Sequence, residues 1–138
     1  MYSVALYRNE FVYLTGGEGY SSRFVSILSI RYNEWQNAPK MKKGRCQHAS
    51  LCLGNHVYVF GGKENRGTIE SLKIGLGETW KEICGHSELT RRERVAVTAT
   101  GPETIAIFGG RRDNEHELKN GYELNTSTNE VRPILGMD

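Results

Sequence analysis

Short apolar runs recur along the chain, and three of them end in a pair of glycines. These runs are FVYLTGG at 11–17, VYVFGG at 57–62 and IAIFGG at 105–110. Each has the length and the content of β-branched and aromatic residues that a strand needs, and each stops at residues that break strands. We therefore predict three strands that end at paired glycines, which are Gly16 and Gly17, Gly61 and Gly62, and Gly109 and Gly110.

The glycine pairs follow one another at spacings of 45 and 48 residues, which is the range of a structural repeat. Trp35 and Trp80 keep the same phase, because each lies 18 residues after the second glycine of a pair. Within each period, turn residues separate four strand-sized runs, which in the second period are CQHASLCL, HVYVFGG, TIESLKIG and TWKEIC.

This pattern predicts an all-β domain of three four-stranded antiparallel units, at about 1–42, 43–86 and 87–138. A four-stranded unit repeated at this length is typical of a propeller blade. Blades pack face to face and crowd near the axis, so a glycine pair there leaves room for neighbouring strands. We expect Trp35 and Trp80, on outer strands, to fill the wider gaps between blades.

The stretch EWQNAPKMKKGRCQHASLCLGNHVYVFGG at 34–62 resembles the join between two kelch repeats. The resemblance rests on Trp35, Pro39, Met41, Arg45, His48, Gly61 and Gly62, and it covers essentially the whole chain. It is weaker in the third repeat, where Val131 stands near the Trp position and Val95 at the His position. The resemblance implies a kelch-type β-propeller.

Three blades are fewer than the four to eight with which propellers close. An arc of three would expose two apolar blade faces. Two interpretations follow: the chain is part of a longer propeller, or two copies pair into a six-bladed ring.

The charge distribution separates two faces of the predicted disc. The long loops, which follow strands two and four of each unit, lie on one face and are 18–23, 40–45, 63–67, 85–94 and 111–120. They hold 13 basic and seven acidic residues, a net charge of +6, whereas the rest of the chain holds five basic and nine acidic residues, a net charge of −4. A basic, loop-built face attracts acidic partners.

The resemblance implies a use for this face, because kelch adaptors of ubiquitin ligases take peptide segments, often acidic, on the corresponding loops. Arg45 and Arg92 occupy matching repeat positions, and either partner binding or hydrogen bonding between blades would explain them. The other candidate partner-binding residues are Arg23, Arg66, Arg111, Arg112 and Tyr20.

Other chemistry has weak support in the sequence. Cys46, His48 and Cys52 share one strand face by period two, which could suggest a metal site. A four-coordinate zinc site requires closely spaced ligand pairs and a fourth ligand, and neither is evident here. No catalytic set is visible for a kelch-type oxidase or sugar epimerase. Binders of single-stranded nucleic acid interleave aromatic residues with basic ones, whereas these loops offer only Tyr20 and, directly after the first loop, Phe24.

The favoured interpretation is a non-enzymatic protein-interaction module without metal or cofactor, belonging to a ubiquitin-ligase adaptor or a cytoskeletal scaffold. An enzyme on a kelch propeller and a nucleic-acid binder remain as alternatives. Three cysteines without a CxxC motif, the lack of a signal peptide and the lack of a bilayer-spanning run favour the cytoplasm.

Overall fold

A computed structural model describes residues 1–18, 22–63, 68–83, 91–112 and 116–134. These residues form strands and turns, and no helix occurs among them. The strands are β1 (Tyr2–Tyr7), β2 (Phe11–Gly16), β3 (Val25–Ser29), β4 (Glu34–Asn37), β5 (Ala49–Leu53), β6 (His56–Phe60), β7 (Ile69–Lys73), β8 (Lys81–Ile83), β9 (Ala96–Gly101), β10 (Thr104–Phe108), β11 (Gly121–Asn125) and β12 (Val131–Ile134).

The strands pair in sequence order into three four-stranded sheets, which we name blade 1 (β1–β4), blade 2 (β5–β8) and blade 3 (β9–β12). Every pairing is antiparallel. The predicted all-β fold of three four-stranded antiparallel units is therefore confirmed. The described part of the chain contains no helix with the length and apolarity that a membrane crossing requires.

The blades stack in chain order around two apolar clusters. The first cluster lies between blades 1 and 2 and buries Ala5, Tyr13, Val25, Met41, Val57, Val59, Leu72 and Trp80. The second lies between blades 2 and 3 and buries Tyr58, Phe60, Ile69, Ile105, Ile107 and Leu124. The first strands of the blades approach one another, β1 with β5 and β5 with β9, as expected of strands nearest a propeller axis.

The glycine pairs lie where two blades come close. Gly62 has a φ of 108°, and a Cβ there would lie 2.8 Å from the carbonyl oxygen of Cys46. A Cβ at Gly16 would overlap the carbonyl oxygen of Arg45 and the ring of His48. Glycine is needed at these two positions because both the backbone conformation and the space exclude a side chain.

The two tryptophans of the repeat have different environments. Trp80 is 1% exposed, and its indole Nε1 donates a hydrogen bond of 2.7 Å to the carbonyl oxygen of Pro39 in blade 1. Trp35 is 58% exposed. The expectation that both fill gaps between blades therefore needs correction for Trp35, because no described blade lies on its side of blade 1.

Candidate functional site

Backbone hydrogen bonds join the long loops at one end of the stack. Arg45 N donates to Ser22 O at 2.9 Å, Lys63 N to Cys46 O at 3.0 Å, and Gly62 N to Arg92 O at 3.1 Å. These bonds tie each loop to the next one along the stack. We call this surface the loop face, and its described residues are 17–18, 22–24, 38–48, 61–63, 91–95, 109–112 and 116–120.

Arg45 lies beneath the loop face, with 0% of its surface exposed. Its Nη1 donates to the carbonyl oxygens of Gly61 and Thr68, at 2.8 and 2.9 Å. Nη2 donates to Thr68 Oγ1 and to Glu70 Oε2, at 2.7 and 2.8 Å, and Nε donates to the same carboxylate oxygen at 3.1 Å. Burial lowers the pKa of Arg45, and the bond to Glu70 opposes that shift. All five guanidinium N–H groups are thus satisfied within blade 2.

Arg92 has the same role in blade 3, with 1% of its surface exposed. Nη1 donates to Gly109 O at 2.9 Å and to Asn120 O at 3.2 Å, and Nη2 donates to Asn120 Oδ1 at 2.9 Å. Tyr122 occupies the position that Glu70 has in blade 2, and its ring centroid lies 5.2 Å from the guanidinium carbon. Blade 3 therefore has a cation–π contact between Arg92 and Tyr122 at the place where blade 2 has the ion pair between Arg45 and Glu70.

These geometries bear on the two roles that the sequence left open for Arg45 and Arg92. Both guanidinium groups are enclosed, and their bonds run to the glycine strand end and to the third strand of their own blade. The burial favours the structural role. Partner binding by Arg45 and Arg92 stays a prediction from the sequence, which their burial does not favour.

Other basic side chains reach the surface of the loop face. Arg23 is exposed, and its Nε donates to the carbonyl oxygen of Met41. Arg111 and Arg112 are partly exposed. The remaining exposed or partly exposed basic residues on this face are Lys40, Lys42, Lys43, Lys63, Arg91, Arg94 and Lys119. Two candidate residues, Tyr20 and Arg66, lie outside the described residues.

A cleft of about 310 Å³ opens on the loop face of blade 3, and it is lined by Arg94, Gly109, Gly110, Arg111, Glu117 and Leu118. Its backbone is fixed, because Arg111 and Glu93 exchange two hydrogen bonds of 3.0 Å. Arg94 N donates to Gln47 O at 2.8 Å, and both residues have left-handed backbones, with φ of 57° and 55°. Two arginines thus line one cleft, and hydrogen bonds hold the backbone around it in place.

Arg94 was missed among the sequence candidates. The available signal was its place in the RRER run at 91–94, two residues after Arg92. Gln47 lies two residues after Arg45, so Arg94 and Gln47 hold the same repeat position. Arg94 is exposed, whereas Arg92 two residues before it is buried.

The three residues considered for a metal site, Cys46, His48 and Cys52, do not lie on one strand as expected from the sequence. Strand β5 begins at Ala49, so Cys46 and His48 precede it, and His48 Nε2 bonds Thr15 Oγ1 at 2.8 Å. Burial raises the pKa of the Cys52 thiol to about 12. Among the described residues, no group of three or more His, Cys, Asp or Glu side chains could hold a metal ion.

Comparison with known proteins gives matches to kelch proteins. An F-box/kelch-repeat protein of Arabidopsis thaliana is 29% identical over 90 residues, which is 64% of this chain and 34% of that protein. A second from the same plant is 26% identical over 115 residues, covering 80% of this chain and 30% of the relative. Kelch domain-containing protein 1 of Mus musculus is 27% identical over 115 residues, which is 76% of this chain and 28% of that protein. No family model matches the chain.

Three consecutive four-stranded antiparallel sheets, packed face to face with their first strands adjacent, are blades of a β-propeller. The repeat residues and the matched relatives agree on the type: the chain is similar to kelch-repeat proteins, and this similarity supports a kelch-repeat assignment. It spans about a third of the length of the curated relatives that it matches.

Proposed function

We propose that this chain is a protein-interaction module and that its loop face binds an acidic segment of a partner protein. The binding point is the cleft beside Arg94 and Arg111. The observation that carries the proposal is this cleft of about 310 Å³, which two arginines line and whose backbone is held by hydrogen bonds.

The charge of the loop face supports an acidic ligand. Ten basic residues of this face are exposed or partly exposed, whereas its described acidic residues are Glu18, Glu93 and Glu117, of which Glu93 is buried. Arginine binds carboxylates with paired, charge-assisted hydrogen bonds. The surrounding lysines would raise the rate of encounter with an acidic partner.

Glu117 makes the charge along the cleft uneven. It lines the cleft together with Arg94 and Arg111, so a ligand carboxylate placed between the arginines has one like charge nearby. Like charges at close range are unfavourable. A segment that presents an acidic residue to the arginines and a neutral residue to Glu117 therefore fits best.

The wider role concerns the longer proteins that carry such repeats. Relatives named F-box/kelch-repeat proteins support the proposal that this segment helps recognise substrates for a cytoplasmic ubiquitin-ligase adaptor. A cytoskeletal scaffold is the alternative within the same class of interaction module. No observation on the described residues favours the enzyme interpretation.

The test is a titration of the chain with a glutamate-rich peptide and with a matched peptide in which glutamine replaces each glutamate. The variant Arg94→Asn/Arg111→Gln removes both charges, and asparagine tolerates the left-handed backbone at its position. The control variant Arg31→Gln/Lys73→Gln removes two exposed charges at the opposite end of the blades. We expect the first variant to bind the acidic peptide about tenfold more weakly or worse, and the control to bind as wild type does.

Circular dichroism of each variant establishes that the fold is kept. Unchanged binding by a folded Arg94→Asn/Arg111→Gln variant would refute the site. A single-stranded oligonucleotide is titrated in parallel. Tighter binding of the oligonucleotide than of the peptide, with the steep salt dependence of counterion release, would replace the proposal with nucleic-acid binding.

A further inference from the structure

A second cleft, of about 450 Å³, opens between blades 1 and 2, and we call it the inter-blade cleft. Blade 1 contributes the side of its sheet that faces blade 2, and blade 2 contributes the turn that follows β7. Its apolar lining consists mainly of Tyr7, Phe11, Tyr13 and Ile27 from blade 1, with Ile74 and Leu76 from blade 2. Both walls belong to described blades, so the cleft does not depend on what packs against either end of the stack.

The gap between blades 2 and 3 is built from the same repeat positions. Tyr58 lies 45 residues after Tyr13 and, like it, is buried against the next blade. Ile74 and Thr126 also correspond, because each directly follows the third strand of its blade. Each of the two donates its backbone N–H, at 2.8 Å, to a carbonyl oxygen in the turn between the first two strands of that blade. The two gaps can therefore be compared residue by residue.

The hydroxyl groups of the two tyrosines differ in this comparison. Burial raises the pKa of Tyr58, and a side-chain hydrogen bond with Thr126 opposes that rise. At the inter-blade cleft the counterpart of Thr126 is Ile74, whose side chain has no polar atom. Tyr13 is 4% exposed, and no described residue forms a hydrogen bond with its hydroxyl. A buried tyrosine hydroxyl usually has a partner, and the cleft leaves space for one.

The inter-blade cleft is uncharged. None of its lining residues carries a charge, in contrast with the many basic residues of the loop face. Its polar side-chain groups are the Tyr13 hydroxyl and the amides of Gln36 and Asn37 in β4. An apolar cavity with a few polar groups is the usual composition of a binding site. Because a charge would lose its hydration here without gaining a counter-charge, the occupant that fits is neutral and apolar.

Leu76 indicates that the occupant is larger than the cleft. Its side chain is fully exposed, at 103%, although the residue lines the cleft. Gln36 and Asn37 are exposed as well, and they lie on β4, whose outer edge pairs with no described strand. Only a chain segment would cover the cleft, Leu76 and this edge together. The backbone of such a segment also supplies acceptors for the Tyr13 hydroxyl and partners for the two amides.

We infer that the inter-blade cleft binds an uncharged, apolar segment of a partner protein. An apolar side chain of the segment enters the cleft, and a backbone carbonyl oxygen accepts a hydrogen bond from the Tyr13 hydroxyl. This site is separate from the cleft at Arg94 and Arg111, because the two share no lining residue. Either site can therefore fail its test without the other.

A phage-displayed library of random peptides, selected on the immobilised chain, is the probe. Peptides that bind wild type and not Leu76→Lys should be neutral and apolar in sequence. Calorimetric titration should show at least about tenfold weaker binding by Leu76→Lys, since a buried leucine contact is lost. Tyr13→Phe removes one hydrogen bond between neutral groups and should weaken binding about two- to tenfold. A library that yields no peptide sensitive to Leu76→Lys, or only acidic ones, would overturn the inference.

Two control variants show where the selected peptides bind. Tyr32→Lys adds the same charge at an exposed position outside the cleft, and it should bind these peptides as wild type does. Arg94→Asn/Arg111→Gln should also bind them unchanged, which separates this site from the loop face. Weaker binding in either control, or full affinity in Tyr13→Phe, would contradict the assignment. Self-association of wild type that Leu76→Lys abolishes would give the cleft to a second copy of the chain instead.

Thermal melting supplies a readout that needs no ligand. Tyr58→Phe should melt below wild type, because it loses the hydrogen bond with Thr126. Tyr13→Phe should melt at the temperature of wild type or above it, because its hydroxyl has no partner among the described residues. Equal losses in the two variants would show that the Tyr13 hydroxyl is already bonded in the free chain and is not available to a partner.

Discussion

The indole N–H of Trp80 reaches from blade 2 to the carbonyl oxygen of Pro39 in the last loop of blade 1, at 2.7 Å. Trp35 holds the same repeat position and is 58% exposed, against 1% for Trp80. The same repeat position is therefore buried in blade 2 and exposed in blade 1, because a preceding blade must be present to cover the tryptophan.

This difference predicts unequal costs for the two alanine variants. Trp80→Ala should lower the free energy of unfolding by about 3–5 kcal/mol, since it opens a large cavity between two blades. Trp35→Ala should change the stability of the monomer by about 0.5 kcal/mol or less, as other exposed sites do. Urea unfolding of the two variants under the same conditions measures both costs. Equal losses in the two variants would contradict the assignment.

The buried ion pair of Arg45 and Glu70 supports a second prediction. Arg45→Met should lower the free energy of unfolding by about 3–5 kcal/mol, because it leaves the Glu70 carboxylate buried without its cation. The partly exposed pair of Lys43 and Glu82, at 3.4 Å, provides the control. Lys43→Met should cost about 1 kcal/mol or less. Denaturant unfolding of both variants under the same conditions makes the comparison.

A double variant separates charge from packing at this site. Glu70→Gln keeps an acceptor for Lys42 N, which bonds Glu70 Oε1 at 2.6 Å. Arg45→Met/Glu70→Gln should therefore be more stable than Arg45→Met alone, because the unpaired charge is gone. A double variant no better than the single one would show that lost packing and hydrogen bonds, and not the unpaired carboxylate, dominate.

The sequence was sufficient to predict the blades because their pairing is local. Each strand pairs with its neighbour in the chain, as with β5 and β6, so turn signals and alternation define a complete sheet. The regular spacing of Gly16, Gly61 and Gly109 then indicates that the chain forms three such sheets. No long-range crossover had to be inferred.

The roles of the loop arginines could not be predicted in the same way. Arg45 is buried because the carbonyl oxygens of Gly61 and Thr68 converge on it, and that convergence depends on the folded loop between them. Nothing in the local sequence distinguishes this guanidinium from that of the exposed Arg94.

A third prediction concerns pH. Burial, together with the charges of Arg45 and the N-terminal ammonium, lowers the pKa of His48 from 6.5 to about 3. The unfolded chain therefore binds more protons between these two values. The stability due to neutral His48 is complete above the unfolded pKa and is lost as the pH falls, at up to about 1.4 kcal/mol per pH unit.

Urea unfolding between about pH 7 and about pH 4 tests this titration. His48→Gln should give a shallower dependence of the unfolding free energy on pH, because glutamine can bond Thr15 and does not titrate. His116→Gln, at an exposed position, should keep the slope of wild type. If His48→Gln loses stability with falling pH as steeply as wild type, other groups account for the acid sensitivity.

The last prediction separates backbone strain from lack of space at the glycine pairs. Gly16 and Gly77 have nearly the same left-handed backbone, with φ of 75° and 73°. A Cβ at Gly77 has no heavy atom within 4 Å, whereas a Cβ at Gly16 would overlap the carbonyl oxygen of Arg45 and the ring of His48. Alanine in this conformation costs about 1–2 kcal/mol.

Gly77→Ala should therefore lower the free energy of unfolding by about that amount and no more. Gly16→Ala should cost a further ~1–3 kcal/mol, because a tightly packed site must shift to admit the methyl group and the obstructing atoms include backbone. Paired denaturant curves give the difference directly, since the strain is common to both variants and cancels. Equal losses would mean that the contact between blades 1 and 2 yields without cost, and that conformation alone requires glycine at this position of the repeat.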